Sequence, residues 1–231
     1  MNKTILITGA SKGIGLAIAK LFWSKNWNVA LCSRNVENLK SEFISTNNQT
    51  AFIESVDVRN KTVLQQFGKA ALQQFGSIDV LVNNAGQFIP GMVHEEADGT
   101  LETLIETNLY SAYYLSREIV ANMKQKKRGS IYNICSVASL MAYPNGGSYS
   151  ISKFAMLGFS KALREEMKNY NVKVTALLPG ATLTDSWSGT DLPESRFMKA
   201  SDIAQTIWDI EQLSPSTVVE EILLRPVLGD I

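Results

Sequence analysis

The feature that most constrains this chain is an alternation running from end to end. Short apolar runs are separated by longer stretches whose apolar residues recur at helical spacing. The short runs are TILIT (4–8), NVALCS (28–33), AFIES (51–55), IDVLVN (78–83), GSIYNICS (129–136), VKVTALLP (172–179) and VVEEILLRP (218–226). The longer stretches are 14–25, 36–46, 61–75, 100–127, 149–170 and 201–212, each too long for a strand and periodic as an amphipathic helix is. Strand and helix in turn predict an α/β fold: a doubly wound parallel sheet of about seven strands between two layers of helices. The seventh run alternates polar and apolar residues, as an edge strand does. In such sheets ligands bind beyond the carboxyl ends of the strands, so the residues following each strand are where chemistry is sought.

A length of 231 residues suffices for one large core, and no stretch reads as a linker, so a single domain over 1–231 is expected. Its 22 basic and 22 acidic residues create no global field for nucleic acid or anionic membrane. The one basic run, MKQKKRGS, suits the solvated end of a helix. No apolar run reaches the roughly 18 residues of a membrane span. The opening MNKTILITGA is too short for a signal sequence, which predicts a cytoplasmic protein. Cys32 and Cys135 lack CxxC spacing and read as packed thiols, and His94 stands alone. Neither a metal site nor a histidine triad is expected.

Directly after the first strand comes TGASKGIG (8–15), with a helix opening behind it. Gly9 permits a tight turn, Gly13 lets the backbone approach a pyrophosphate, and Gly15 lets helix and strand pack closely, while the helix N-terminus supplies free N–H groups. Tyr149 and Lys153, four apart, share one face of a helix. A neighbouring ammonium favours phenolate and lowers a tyrosine pKa from about 10, which suits a general acid or base.

The T-G-x-x-x-G-x-G loop, NNAG at 83–86 and the Y-x-x-x-K of Tyr149 and Lys153, in this order and these strand contexts, resemble the short-chain dehydrogenase/reductase family of the classical type. The resemblance covers residues 4 to about 226. It implies a Rossmann-type fold and an NADP(H) cofactor cradled by Gly9, Ser11, Lys12, Gly13, Ile14 and Gly15. After the second strand, Ser33 and Arg34 stand where an NAD enzyme has an acid. With Lys12 they point to the 2′-phosphate of NADPH, although a merely solvated arginine also fits Arg34. Asp57 would accept from the adenine amino group with the Val58 backbone alongside, and Asn83, Ala85 and Gly86 would line the ribose and pin the strand ends.

In the same resemblance Tyr149 donates the proton, Lys153 tunes it and holds the nicotinamide ribose, and Ser136 orients the substrate. Asn108, inside a predicted helix, implies a local break that serves a proton relay through Lys153, or else a plain helix-face asparagine. Pro179 and Gly180 turn the chain under the nicotinamide, with Thr182 and Thr184 as ligands of its carboxamide or of the diphosphate. Residues 181–197 read as a substrate lid around Trp187, and Leu140, Met141, Tyr143 and Trp187 as a moderately apolar pocket, with no arginine among them for a substrate carboxylate. The implied reaction is hydride transfer between NADPH and a ketone or aldehyde. A 3-oxoacyl-thioester reductase and a catalytically silent NADP-binding regulator are the alternatives. A homodimer or homotetramer is implied as the assembly. The ending EEILLRPVLGDI departs from the final strand of many members.

Overall fold

A computed structural model describes residues 2–187 and 189–231. The chain runs β1 (Thr4–Thr8), α1 (Gly13–Ser24), β2 (Asn28–Ser33), α2 (Glu37–Glu42), β3 (Ala51–Ser55), α3 (Lys61–Phe75), β4 (Val80–Asn83), α4 (Thr100–Ile105), α5 (Ser111–Lys126), β5 (Gly129–Ile134), α6 (Gly147–Met167), β6 (Val172–Pro179), α7 (Ala200–Glu211) and β7 (Glu221–Leu224). One sheet in the order β3-β2-β1-β4-β5-β6-β7 contains all seven strands, and every pair is parallel. This is the predicted doubly wound sheet, with the seventh strand at an edge. The order reverses between β1 and β4, the position where such sheets open a crevice.

Successive side chains of a strand point to opposite faces, and the core divides accordingly. Ile5, Ile7, Val29 and Leu31 pack with Ile18 and Phe22 of α1 and Ile203 and Ile207 of α7. Leu6, Ala30, Leu81 and Ile131 pack with Phe67 of α3, Ile119 of α5 and Leu163 of α6 on the other face. Cys32 and Cys135 are buried, free thiols, and burial pushes their pKa values up to about 12 and about 11. Among the described residues no helix is long and apolar enough to cross a membrane.

The element ends differ from expectation where side chains intervene. β5 stops at Ile134 because Ser136 turns the chain. Its Oγ accepts from the Ala138 N–H at 3.1 Å, and the Ser139 Oγ accepts from the Ser136 N–H at 3.2 Å, capping a 3-10 turn over Val137–Ser139. The helix expected over 36–46 shortens to α2, because the polar residues after it form a turn in which the Thr46 N–H donates to the Gln49 carbonyl at 2.8 Å. The helix expected over 100–127 is interrupted by a π turn over Glu106–Tyr110, centred on Asn108. β4 and β7 are shorter than the runs at 78–83 and 218–226.

Candidate active site

The loop after β1 is a backbone cradle. Gly9 has φ +65°, in the left-handed region, and a β-carbon on it would lie 2.9 Å from the Ala85 Cα. A β-carbon on Gly15 would lie 2.5 Å from the Gly9 carbonyl oxygen, so α1 and the loop approach as closely as only glycine allows. The cradle is fixed from β4: the Asn84 Nδ2 donates to the carbonyls of Thr8 and Gly9 at 2.9 and 3.0 Å, and the N–H groups of Asn84 and Ala85 donate to the Thr8 Oγ1. The hydroxyls of Ser11 and Ser33 are 2.8 Å apart, which ties the loop to the end of β2. Ile14 packs against the core from the first turn of α1.

Arg34 is exposed at the end of β2, and its carbonyl accepts from the Ser55 hydroxyl at 2.8 Å. Asp57, beyond β3, is engaged by Arg59, whose Nη2 lies 2.6 Å from Oδ2. This pairing, with a smaller contribution from Arg34, holds the carboxyl below its usual range. Val58 packs against the core beside it. Lys12 is paired with Asp185 at 2.7 Å, both side chains largely exposed. Next to Asp185, the Thr184 Cγ2 lies 3.1 Å from where a Gly13 β-carbon would stand, so the predicted lid crosses the cradle. That segment is drawn together at its base, where the Leu183 N–H donates to the Met198 carbonyl and the Met198 N–H to the Ala181 carbonyl. Ser188 of the lid lies outside the described residues. The Thr182 hydroxyl donates to the Gly180 carbonyl at 3.1 Å, and Pro179 closes β6 beside Leu224.

Beyond β5 the structure brings Ser136, Tyr149, Lys153 and Asn108 into one cluster. Burial pushes the Tyr149 phenol above its usual range, and the Ser136 hydroxyl opposes this by a smaller amount. The Lys153 Nζ donates to the Ile134 carbonyl at 2.9 Å and sits 5.8 Å from the centre of the Tyr149 ring. Burial holds this ammonium below its usual range. The lowered tyrosine pKa expected from spacing is therefore not a property of the protein alone: desolvation outweighs a lysine whose nitrogen is turned to a carbonyl. The Asn108 side chain accepts from the Gln87 N–H at 2.8 Å and donates to the Ser152 hydroxyl at 2.9 Å. A β-carbon on Gly86 would stand 3.4 Å from the Asn108 Oδ1 and 3.6 Å from the Lys153 Nζ, so Gly86 makes room for both.

The Asn83 side chain is buried and donates to Ser116 and Asn133, pinning β4 to β5 and α5. Leu140, Met141 and Tyr143 form an exposed wall after Ser136, and the Tyr143 phenol is pushed up to about 12 by burial and by the nearby Tyr149. Trp187 packs on Phe197 within its own segment at 5.0 Å between ring centres. Phe88, not singled out from the sequence, meets the Tyr149 ring edge-on at 4.9 Å. Asn84 and Ser152 were visible inside NNAG and Y-x-x-x-K. Glu96 carried no local signal, because its partner is 52 positions away: its carboxylate accepts from the N–H and hydroxyl of Ser148 in the first turn of α6.

A glycine cradle at the switch of a doubly wound sheet, with a half-buried tyrosine and a buried lysine and serine beyond β5, is the arrangement of an α/β oxidoreductase. The chain belongs to the short chain dehydrogenase family, whose model matches residues 3–194. It is 31% identical to a sepiapterin reductase of Chlorobaculum tepidum, across 100% of this chain and 99% of the relative. It is 33% identical to a 3-oxoacyl-[acyl-carrier-protein] reductase of Chlamydia muridarum, across 82% of this chain and 77% of the relative. Among solved structures, an alcohol dehydrogenase of the archaeon Thermococcus sibiricus, complexed with 5-hydroxy-NADP, superposes with a TM-score of 0.92 at 28% identity, covering 100% of this chain and 99% of that one.

Proposed function

We propose that the protein is an NADPH-dependent carbonyl reductase that interconverts a ketone or aldehyde and its alcohol. The observation that carries this reading is the cluster of Ser136, Tyr149, Lys153 and Asn108 at the strand ends, beside a glycine cradle that a single β-carbon would obstruct. The NADP analogue bound by the Thermococcus sibiricus relative supports the cofactor, as do the exposed cations Arg34 and Lys12 on the side of the cradle where a 2′-phosphate would lie. When bound, the cofactor supplies the hydride. Ser136 and Tyr149 hold the carbonyl oxygen, and the Tyr149 phenol gives its proton to the oxygen as negative charge develops there. The buried Lys153 ammonium stabilises the resulting phenolate and returns a proton to it, and the π turn at Asn108 opens the route by which Lys153 exchanges protons with solvent. Residues 181–197 act as the lid over this site.

The likeness to the Chlamydia muridarum enzyme supports a 3-oxoacyl thioester as a second substrate class. Exposed Tyr110, Tyr113, Ile151 and Phe154 on the α4 to α6 side support assembly as a homodimer or homotetramer. A panel of ketones and aldehydes, with an acyl thioester included, tests the reading by NADPH oxidation. Wild type is expected to turn over at least one member, and Tyr149→Phe to lower kcat by about a hundred-fold or more. Tight NADPH binding without any turnover that depends on Tyr149 would leave a binding protein and refute the enzyme.

A further inference from the structure

The strand ends run in spatial order along one edge of the sheet, with the cradle at β1 and β2, Ser136 beyond β5, Gly180 beyond β6 and Arg225 beyond β7. Arg225 thus lies on the substrate side of the crevice. Its Nη2 is 4.0 Å from the sulfur of Met141, a residue of the expected pocket wall. The chain then turns back: the Gly229 N–H donates to the Pro226 carbonyl at 2.9 Å, and Asp230 comes to rest against Gly180, its Oδ1 3.2 Å from where a β-carbon would stand. The Asp230 Oδ2 is 3.3 Å from the Arg225 Nη1, and its carbonyl accepts from the Arg196 Nη2 of the lid segment at 3.4 Å.

Neither partner satisfies the Arg225 guanidinium. A charge-assisted N–H···O bond closes to about 2.7–2.9 Å, and an arginine and a carboxylate pair best through two parallel bonds. Asp230 supplies one long contact instead, and a thioether is a weak acceptor. The side chain is 39% exposed. Arg196 meets the Asp230 backbone carbonyl and not its carboxylate, so the Asp230 carboxylate faces Arg225, and the Arg225 guanidinium keeps N–H donors without a close acceptor among the described residues.

We propose that Arg225 is a substrate-binding residue and that the carbonyl substrate carries a carboxylate, which takes a two-point bond from Arg225 in place of its loose contact with Asp230. The assignment rests on the carbonyl-reductase reading and adds to it the class of substrate. It supplies the arginine that was missing from the pocket residues read in the sequence.

Pyruvate, acetoacetate and levulinate, each with its ethyl ester, test it by NADPH oxidation in wild type, Arg225→Gln and Asp230→Asn. Binding of the matching hydroxy acids and hydroxy esters is followed by ligand-observed NMR in a Tyr149→Phe background, where turnover does not intervene. At least one acid is expected to exceed its ester in kcat/KM by about ten-fold. Arg225→Gln is expected to raise the KM and dissociation constant of that acid by about ten-fold or more, since a hydrogen bond to a charged group contributes about 1.5–3 kcal/mol, and to leave the ester unchanged. Asp230→Asn, which removes the competing carboxylate, is expected to tighten the acid by about two- to five-fold, the range of a half-exposed ion pair. Arg225 and Asp230 variants that weaken acid and ester alike would show a tail-packing contact and overturn the proposal, as would failure of every acid to bind better than its ester. Acid binding that depends on Arg225, without any carbonyl turnover that depends on Tyr149, would keep the anion site and remove the reductase reading instead.

Discussion

Burial moves Tyr149 and Lys153 in opposite directions, the phenol towards staying protonated and the ammonium towards neutrality. A neutral tyrosine beside a weakly held lysine proton avoids burying charge before substrate arrives. In the proposed reaction, once the phenol has given up its proton, the phenolate and the ammonium stabilise each other in a site of low dielectric, so the pair favours the later state over the earlier one. The neighbouring cations divide by how committed they are. Lys12 is tied to Asp185, whereas Arg34 is exposed and near enough to Asp57 to lower the pKa of its carboxyl. Arg34→Ala is accordingly expected to weaken NADPH by about ten-fold or more and to leave NADH within about two-fold, as the loss of one charge-assisted contact to a phosphate predicts. Titration of protein fluorescence with each cofactor measures this, and equal losses would remove the 2′-phosphate role. The residue types of this site were legible in the sequence because local spacing carries them. The proton affinities were not, because they depend on how deeply the fold buries each group.

Helix α6 bears the proposed catalytic pair, Tyr149 and Lys153, in its first two turns, and its start is set from outside. Gly146, at the N-cap position, supplies no side chain, and the Glu96 carboxylate takes its place on the N–H and hydroxyl of Ser148. A negative charge there also complements the positive end of the helix. This explains why α6 begins at Gly147, two residues before the sequence pattern alone suggested. Glu96→Ala is expected to cost about 1 kcal/mol, the usual value of a helix cap, and so to lower the melting temperature by about 2–4 °C. Its kcat should fall while cofactor affinity holds, since the frayed turn carries Tyr149 and the cradle lies elsewhere. Calorimetry and steady-state kinetics check both, and an unchanged melting temperature would deny the cap. The π turn at Asn108 shows the converse case. The family resemblance implied a break at Asn108, with a plain helix-face asparagine as the alternative, and the structure has the π turn there with Asn108 buried at 1% exposure.

At the scale of the whole molecule, the alternation of runs specified the layers and the parallel sheet, because right-handed crossovers leave few other arrangements. It did not bring Arg225 to Met141, or Glu96 to Ser148, since such meetings depend on where loops and the tail settle. The same fold stores an alkaline sensitivity. The buried phenol of Tyr132, the half-buried phenol of Tyr149 and the buried thiols of Cys32 and Cys135 all have raised pKa values in the folded chain. Their contribution is complete below the unfolded values, 9.0 for thiols and 10.0 for phenols, and is lost as pH rises through the folded ones. Lys153, with its lowered pKa, opposes this as a single group. The urea midpoint is therefore expected to fall from about pH 8.5 to about pH 11, and a flat or rising midpoint would contradict the burial of these groups. The two backbone bonds at the base of the proposed lid have a different consequence. They make the segment between Leu183 and Met198 a cassette with a closed neck, so its length and composition can be exchanged without moving β6 or α7, and new substrate ranges can arise by replacing one loop on an unaltered sheet.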